Sequence, residues 1–304
     1  MLIKNLNMFY NKSLILFFTL SLLFISGCNS VEEEVLSDLP PIENKEISDE
    51  KIQAIYFGVP SPMETTIILK NSGAEFEASI MYPLENYEKE LNQFETSILL
   101  GLYSTDLNYC ILSSKKKETL EELNAVISLA KQIHLDAVIN ESTKHRVEYN
   151  LDNRDSMQVI IGSTFWKMET IMKENDRDAL SSLIVAGGWL EGLYLACELA
   201  EINPDNSLIQ QIIADQKYTI SNLNELLSFF VYDEEINESI ISPLKNIEKL
   251  FDQIKKDEYV ETTSDNKEFL DDLIIGKYFK LKFTPEIISS IHSSIETVRN
   301  ELTN

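Results

Sequence analysis

The sequence predicts an all-α protein, a multi-helix bundle of about seven to nine helices. From about residue 51 onward, apolar residues recur at three- and four-residue spacing, the period of an amphipathic helix. Hydrophobic residues make up 44% of the 304 residues, enough for a packed core. Gly (9) and Pro (8) are too scarce for a sandwich or barrel of many short strands. The length is large for one core, so two lobes are the alternative.

Residues 1–27 resemble a lipoprotein signal peptide. Lys4 and Lys12 precede an apolar run over residues 14–25, which is too short for a permanent membrane span. Ile25-Ser26-Gly27-Cys28 then resembles the bacterial lipobox, in which the cysteine sulfur takes up a diacylglycerol and becomes the mature N-terminus. The alternative is a plain signal peptide followed by a chance cysteine. We expect Cys28 to carry the lipid and the protein to be anchored in the bacterial envelope.

Residues 28–50 are predicted to be an acidic, disordered tether ahead of a helical domain over residues 51–304. The cluster Val31-Glu32-Glu33-Glu34 resembles a surface-export signal of Bacteroidetes lipoproteins, and a solvated tether is the alternative. These features favour the outer membrane, with the protein facing either the periplasm or the cell surface. The net charge of −24 argues against nucleic acid as a partner and against electrostatic attachment to anionic lipid. Membrane attachment should therefore depend on the acyl chains.

Start and stop signals divide the domain into helices. Ser61-Pro62-Met63-Glu64 predicts a helix start that Gly73 can end, and Pro83 is expected to open the next helix. Residues 136–150 show no clear pattern. Further helices are predicted over residues 118–133, 156–173, 178–201, 207–231 and 236–254.

The C-terminal region combines a polar loop, an extended segment and a helix. Residues 257–268 are polar, and residues 276–283 alternate as a short strand would. Thr284-Pro285-Glu286 is expected to cap the last helix. One face of that helix carries an apolar stripe at helical spacing, formed by Ile288, Ile291, Ile295, Val298 and Leu302.

The helix over residues 178–201 is predicted to be the central one, because it is apolar on nearly all sides. Glu191 in its middle argues against a membrane span. Gly188 and Gly192 lie one turn apart, so a neighbouring helix is expected to approach closely there.

Residues that usually mark catalytic or metal sites form no known motif. Cys110 and Cys197 stand in apolar helical patterns and are expected to be buried, with a disulfide between them left open. None of the histidines (His134, His145, His292) has the spacing of a zinc site. Nucleotide-binding loops and hydrolase motifs are absent from the sequence. We therefore expect no catalytic residues of a known class, no cofactor and no metal.

Three segments resemble a family of uncharacterised Bacteroidetes helical lipoproteins. Residues 101–109 match the pattern G-x-Y-x-x-D-L-x-Y, and residues 186–194 read A-G-G-W-L-E-G-L-Y. Residues 60–64, P-S-P-M-E, are similar to the opening segment of that family. The resemblance covers roughly residues 55–300. It implies a helical lipoprotein and no established activity.

Asp106 is the first candidate for a site, because apolar residues surround it on its helix. A buried carboxylate must be hydrogen-bonded or paired, and the candidate partners are tyrosine hydroxyls, a helix start, Arg154 or Arg177. One interpretation is an internal polar network that fixes how the helices pack. The other is a groove that binds a polar ligand, with candidate lining residues Asp106, Glu191, Trp189, Tyr194 and Tyr103.

Two classes of function follow from these observations. The predicted lipid anchor, the acidic tether and the helical pattern favour a binding module with a protein partner in the envelope. The alternative is an enzyme or a small-ligand sensor that uses Asp, Glu and Tyr side chains in a groove between helices. A deep groove with convergent carboxylates would favour the alternative, and a flat apolar patch would favour protein binding.

Overall fold

The computed structural model describes residues 58–59, 62–89, 91–259 and 279–302. The predicted signal peptide, Cys28 and the tether lie outside these residues, as does most of the predicted polar loop.

The described residues contain ten α-helices, so the predicted all-α class is confirmed. A single antiparallel pair of strands, β1 (Lys255–Tyr259) and β2 (Phe279–Lys282), accompanies them. Strand β2 lies within the predicted extended segment 276–283, whereas β1 includes the first three residues of the predicted polar loop, which pair with β2 instead. The helices are α1 (Pro62–Asn71), α2 (Gln93–Leu112), α3 (Lys116–Gln132), α4 (Glu141–Tyr149), α5 (Arg154–Glu174), α6 (Asp178–Ile202), α7 (Ser207–Asp215), α8 (Lys217–Phe230), α9 (Glu234–Ile236 and Ser242–Phe251, joined by the π-helical turn Asn237–Ile241) and α10 (Pro285–Glu301).

Helix α2 begins at Gln93 and not at Pro83, so the predicted start was wrong. The Asn92 side chain accepts hydrogen bonds from the N–H groups of Phe94 and Glu95, and the Glu95 carboxylate accepts one from the Asn92 N–H. This reciprocal capping box satisfies donors that the first turn would otherwise leave unpaired. Pro83 instead precedes the short 3₁₀ turn Leu84–Asn86.

Two further boundaries differ from the prediction. Helix α4 forms in the segment without a clear pattern, where Asn140 caps it and only Thr143 and Val147 are buried. Two buried positions are too few to give a periodic signal. The single helix expected over residues 207–231 is divided at Gln216, whose side-chain oxygen accepts a hydrogen bond from the indole of Trp189.

Helices α2 and α6 form the centre of the core. Every residue from Thr96 to Leu112 is buried, and α6 is buried on several sides, as predicted. Among the described helices, α6 alone is long and apolar enough to cross a membrane, but 94% of its most apolar window is buried inside the bundle. It is therefore packed as a core helix.

The two central helices cross in direct backbone contact. A Cβ atom on Gly187 would lie 2.1 Å from the Ile98 carbonyl oxygen, and a Cβ on Gly101 would lie 2.1 Å from that of Ile184. Gly188 lies at the same crossing, because its backbone N would be 2.7 Å from the Gly101 Cβ. Two helices do approach closely at Gly188, as predicted, but the glycines without room for a Cβ are Gly187 on α6 and Gly101 on α2. For Gly192 the close approach stays a prediction.

Candidate functional site

Four charged or titratable side chains meet in the core between four helices. Asp106 comes from α2, Glu122 from α3, Glu191 from α6 and Arg299 from α10. They are 0%, 1%, 0% and 5% exposed, in that order. We call these four side chains the carboxyl cluster.

Arg299 neutralises Glu191 through a two-point ion pair. Its Nε lies 2.7 Å from Glu191 Oε2, and its Nη2 lies 2.8 Å from Oε1. The guanidinium also lies 3.9 Å from the ring centre of Tyr194 and 4.8 Å from that of Tyr82. This geometry matches the planar fork of arginine and compensates much of the cost of burying both charges.

Asp106 lies beside this ion pair, in surroundings that favour its protonated form. Its Oδ2 accepts a 2.8 Å hydrogen bond from the Tyr82 backbone N–H. Burial, followed by the nearby charges of Glu191 and Glu122, raises the pKa of Asp106 well above its usual value. In its protonated form this carboxyl can donate to Glu191, and a hydrogen bond between the two groups lowers the pKa of Glu191.

Glu122 is the second proton-holding group. Burial raises the pKa of Glu122 to about 8, and the charges of Glu191 and Glu121 add to the shift. Its Oε2 has no hydrogen-bond partner among the described residues. Burial also raises the pKa of Glu191, but the charge of Arg299 opposes that shift. With Asp106 and Glu122 protonated, the cluster is neutral overall.

The segment Glu77–Tyr87, which we call the strap, covers the cluster. Side chains of the surrounding helices hydrogen-bond to its backbone at several points. The Glu77 N–H donates to the Tyr109 hydroxyl (3.0 Å), the Ile80 carbonyl accepts from Arg299 Nη2 (3.2 Å), the Tyr82 N–H donates to Asp106, and the Pro83 carbonyl accepts from the Tyr103 hydroxyl (2.6 Å). At the C-terminal end of the strap, the Tyr87 carbonyl accepts from Gln132 Nε2 of α3 (3.3 Å).

The structure brings together part of the predicted groove. Asp106 and Glu191 are neighbours, the Tyr194 ring stacks on Arg299, and the Tyr103 ring lies 5.5 Å from that of Tyr82. Trp189 points away from this group, because its indole N–H donates to Gln216 and Thr219. All five predicted lining residues are buried, so in this conformation they form no open groove.

The predicted arginine partners of Asp106 were wrong. Arg154 is exposed and lies 3.6 Å from Asp155, and Arg177 donates to the Ile133 carbonyl. The arginine of the cluster is Arg299.

Glu122 and Arg299 were not among the predicted site residues, although the pattern of buried positions on each helix could have indicated them. Glu122 falls on the buried stripe of α3, one turn from Thr119 and from Val126. Arg299 follows Val298 at the edge of the apolar stripe of α10. A charged residue at a core position of an amphipathic helix is the pattern that could have identified both.

His292 makes a second polar connection between α10 and α6. Its Nε2 lies 2.9 Å from Glu198 and its Nδ1 lies 2.8 Å from Glu201. His145 instead forms an exposed pair with Glu148. Within the described part of the chain, no group of His, Cys, Asp and Glu side chains is placed to hold a metal ion. Cys110 and Cys197 are buried free thiols.

The neighbouring helices α4 and α5 expose large apolar side chains. Tyr149 at the end of α4 is 91% exposed, and Val159 and Trp166 on α5 are 69% and 66% exposed. Asn150 and Val159 line the same shallow depression, together with polar side chains from the α4–α5 connection. We call Tyr149, Val159 and Trp166 the α4–α5 face.

The chemistry of these two regions differs. The closed cluster can hold and release protons, but its four side chains are covered by the strap and the surrounding helices. The α4–α5 face is open and offers aromatic and branched apolar contacts. Comparisons of the chain with protein-family models, with curated proteins and with solved structures found no match.

Proposed function

We propose that the protein is a bacterial envelope lipoprotein, anchored through a lipidated Cys28, whose helical domain binds a protein partner. The order of basic residues, apolar run, small residues and cysteine at the N-terminus supports the anchor. The resemblance to Bacteroidetes helical lipoproteins and the acidic residues behind Cys28 favour the outer membrane, facing the periplasm or the cell surface. The tether would let the domain reach its partner at a distance from the membrane.

The single observation that carries the binding role is the α4–α5 face. Val159 and Trp166 lie seven residues apart, which places them two turns apart on the same side of α5. The smaller Gly162 and Ser163 lie between them on the helix. Such a surface offers two apolar contacts with a gap between them, and tryptophan and tyrosine are enriched among residues that dominate binding energy.

We expect a partner to co-purify with the protein from detergent-solubilised envelopes and to be lost from a variant that carries Trp166→Ala and Val159→Ser. Both side chains are exposed, so the variant should keep the melting temperature of the parent protein. Tyr232→Ala is the matched control, because it removes another exposed aromatic side chain, 72% exposed, outside the α4–α5 face. Retention of the same partner by the double variant would refute the role of this face.

The second candidate is an enzyme or a small-ligand sensor. The close approach of Asp106 and Glu191 favours it, because paired carboxyl groups with raised pKa values are typical of catalytic and ligand sites. A ligand would reach these groups only if the strap moved.

A further inference from the structure

We propose that the strap is a proton-controlled cover over the carboxyl cluster. It is closed while Asp106 and Glu122 carry protons. It opens when alkaline pH removes those protons, which uncovers a groove lined by Asp106, Glu191 and Tyr103. This inference does not depend on the lipid anchor or on the α4–α5 face.

The geometry couples the strap directly to the cluster. Two of its backbone attachments are made by cluster members, the Asp106 carboxyl and the Arg299 guanidinium. The Arg299 guanidinium is also the counter-charge of Glu191. A change of charge in the cluster therefore acts on side chains that hold the strap.

The charge balance explains why protons are required. With Asp106 and Glu122 neutral, the buried charges are one carboxylate and one guanidinium. Loss of both protons would leave a buried net charge of about −2, which the protein interior disfavours strongly. Opening the strap admits water to the carboxylates and relieves this cost.

Among the described groups that shift the pKa values of Asp106, Glu122 and Glu191, Arg299 is the one cation. The groups that face the cluster are mainly acids, phenols and a thiol: Tyr82 and Tyr87 from the strap, Tyr103, Tyr109 and Cys110 from α2, Glu118 and Glu121 from α3, and Tyr194 from α6.

The direction of the pH effect follows from the raised pKa values. A carboxyl that is protonated in the closed state and ionised in the open state favours the closed state fully below its pKa in water, about 4. As the pH rises towards the pKa of the group in the closed state, the equilibrium constant for closing falls by up to about tenfold per pH unit for each proton. For Glu122, the preference for the closed state is lost completely above about pH 8.

Cys110 provides a reporter for strap opening. Its Sγ lies 3.4 Å from the Sδ of Met81, which belongs to the strap. Cys197 on α6 is the internal reference, because it is also buried and burial raises the pKa of both thiols. The ratio of the two alkylation rates therefore corrects for the general effect of pH on thiol chemistry.

We expect the ratio of Cys110 to Cys197 alkylation by iodoacetamide, measured on the full chain, to rise about tenfold or more between about pH 6 and about pH 9. Glu122→Gln and Asp106→Asn imitate the protonated side chains, so each should reduce this rise. Glu169→Gln removes an exposed carboxylate from α5 and should leave the rise unchanged.

Three outcomes would overturn the proposal. The ratio could stay constant with pH in the parent protein, or rise equally in the parent and in both cluster variants. Alternatively, the two cysteines could become reactive together, which would indicate global unfolding instead of strap opening. The measurement on the parent protein does not depend on whether a variant folds.

Discussion

Arg299 decides the chemistry of the core more than any other single residue. Its guanidinium pairs with Glu191, donates to the strap at Ile80 and contacts the rings of Tyr82 and Tyr194. Removal of this one side chain would leave a buried carboxylate without a counter-charge. Removal of both partners of the ion pair would leave no buried charge to compensate.

We therefore expect Arg299→Met to lower the free energy of unfolding by about 3–5 kcal/mol. The double variant Arg299→Met with Glu191→Gln should lose clearly less than the sum of the two single variants, because both charges are then absent. Urea unfolding at one fixed pH measures all three values, and Arg154→Met, at an exposed position, is the control. Additive losses would show that the pair is not coupled.

At the scale of elements, the α2–α6 crossing sets the arrangement of the bundle. The backbones approach so closely that neither Gly101 nor Gly187 has room for a methyl group. This contact places Asp106, five residues after Gly101, beside Glu191, four residues after Gly187. The glycines thus position the two carboxyl groups as well as the helices.

Gly187→Ala tests this crossing, because helix propensity and packing predict opposite effects. Propensity alone would stabilise the helix by up to about 1 kcal/mol. The clash with the Ile98 carbonyl oxygen should instead destabilise the protein by about 1–3 kcal/mol. Gly162→Ala in the half-buried middle of α5 is the control, where propensity should prevail. An unchanged or higher melting temperature for Gly187→Ala would contradict the crossing.

At the scale of the whole molecule, the two most apolar segments of the chain have different roles: one is packed in the domain core, and the other belongs to the proposed membrane anchor. The apolar residues of α6 are covered by other helices, and the remaining apolar run of comparable character is at the N-terminus. A net charge of −24 would repel anionic lipid. Membrane attachment is therefore proposed to reside in Cys28 and its acyl chains.

Cys28→Ser should abolish lipid attachment and leave an unprocessed or soluble product, because the hydroxyl of serine is a much weaker nucleophile than a thiol. Detergent phase partitioning and the mass of the product measure this outcome. Cys197→Ser is the matched control, since it alters a buried core cysteine and should keep the anchor. A Cys28→Ser product that still enters the detergent phase at the processed mass would exclude Cys28 as the anchor.

Local patterns in the sequence were sufficient for the fold class and most elements. The apolar period identified the central helix α6, and Thr284-Pro285 marked the start of α10. Boundaries were wrong where a cap replaced the expected signal, as at Asn92, or where few residues are buried, as in α4. Helix propensity and the spacing of apolar residues depend on neighbours within a few residues along the chain, so a single sequence is enough to recognise them.

The carboxyl cluster was determined only by the tertiary structure. Asp106 and Glu191 could be suspected from their apolar surroundings. Glu122 joins them from α3, the helix that follows α2, and Arg299 joins them from α10 near the C-terminus. Trp189, two residues before Glu191, faces another part of the core. Whether a titratable side chain is paired, protonated or exposed depends on the side chains that packing brings around it. The sequence alone does not specify which helices meet.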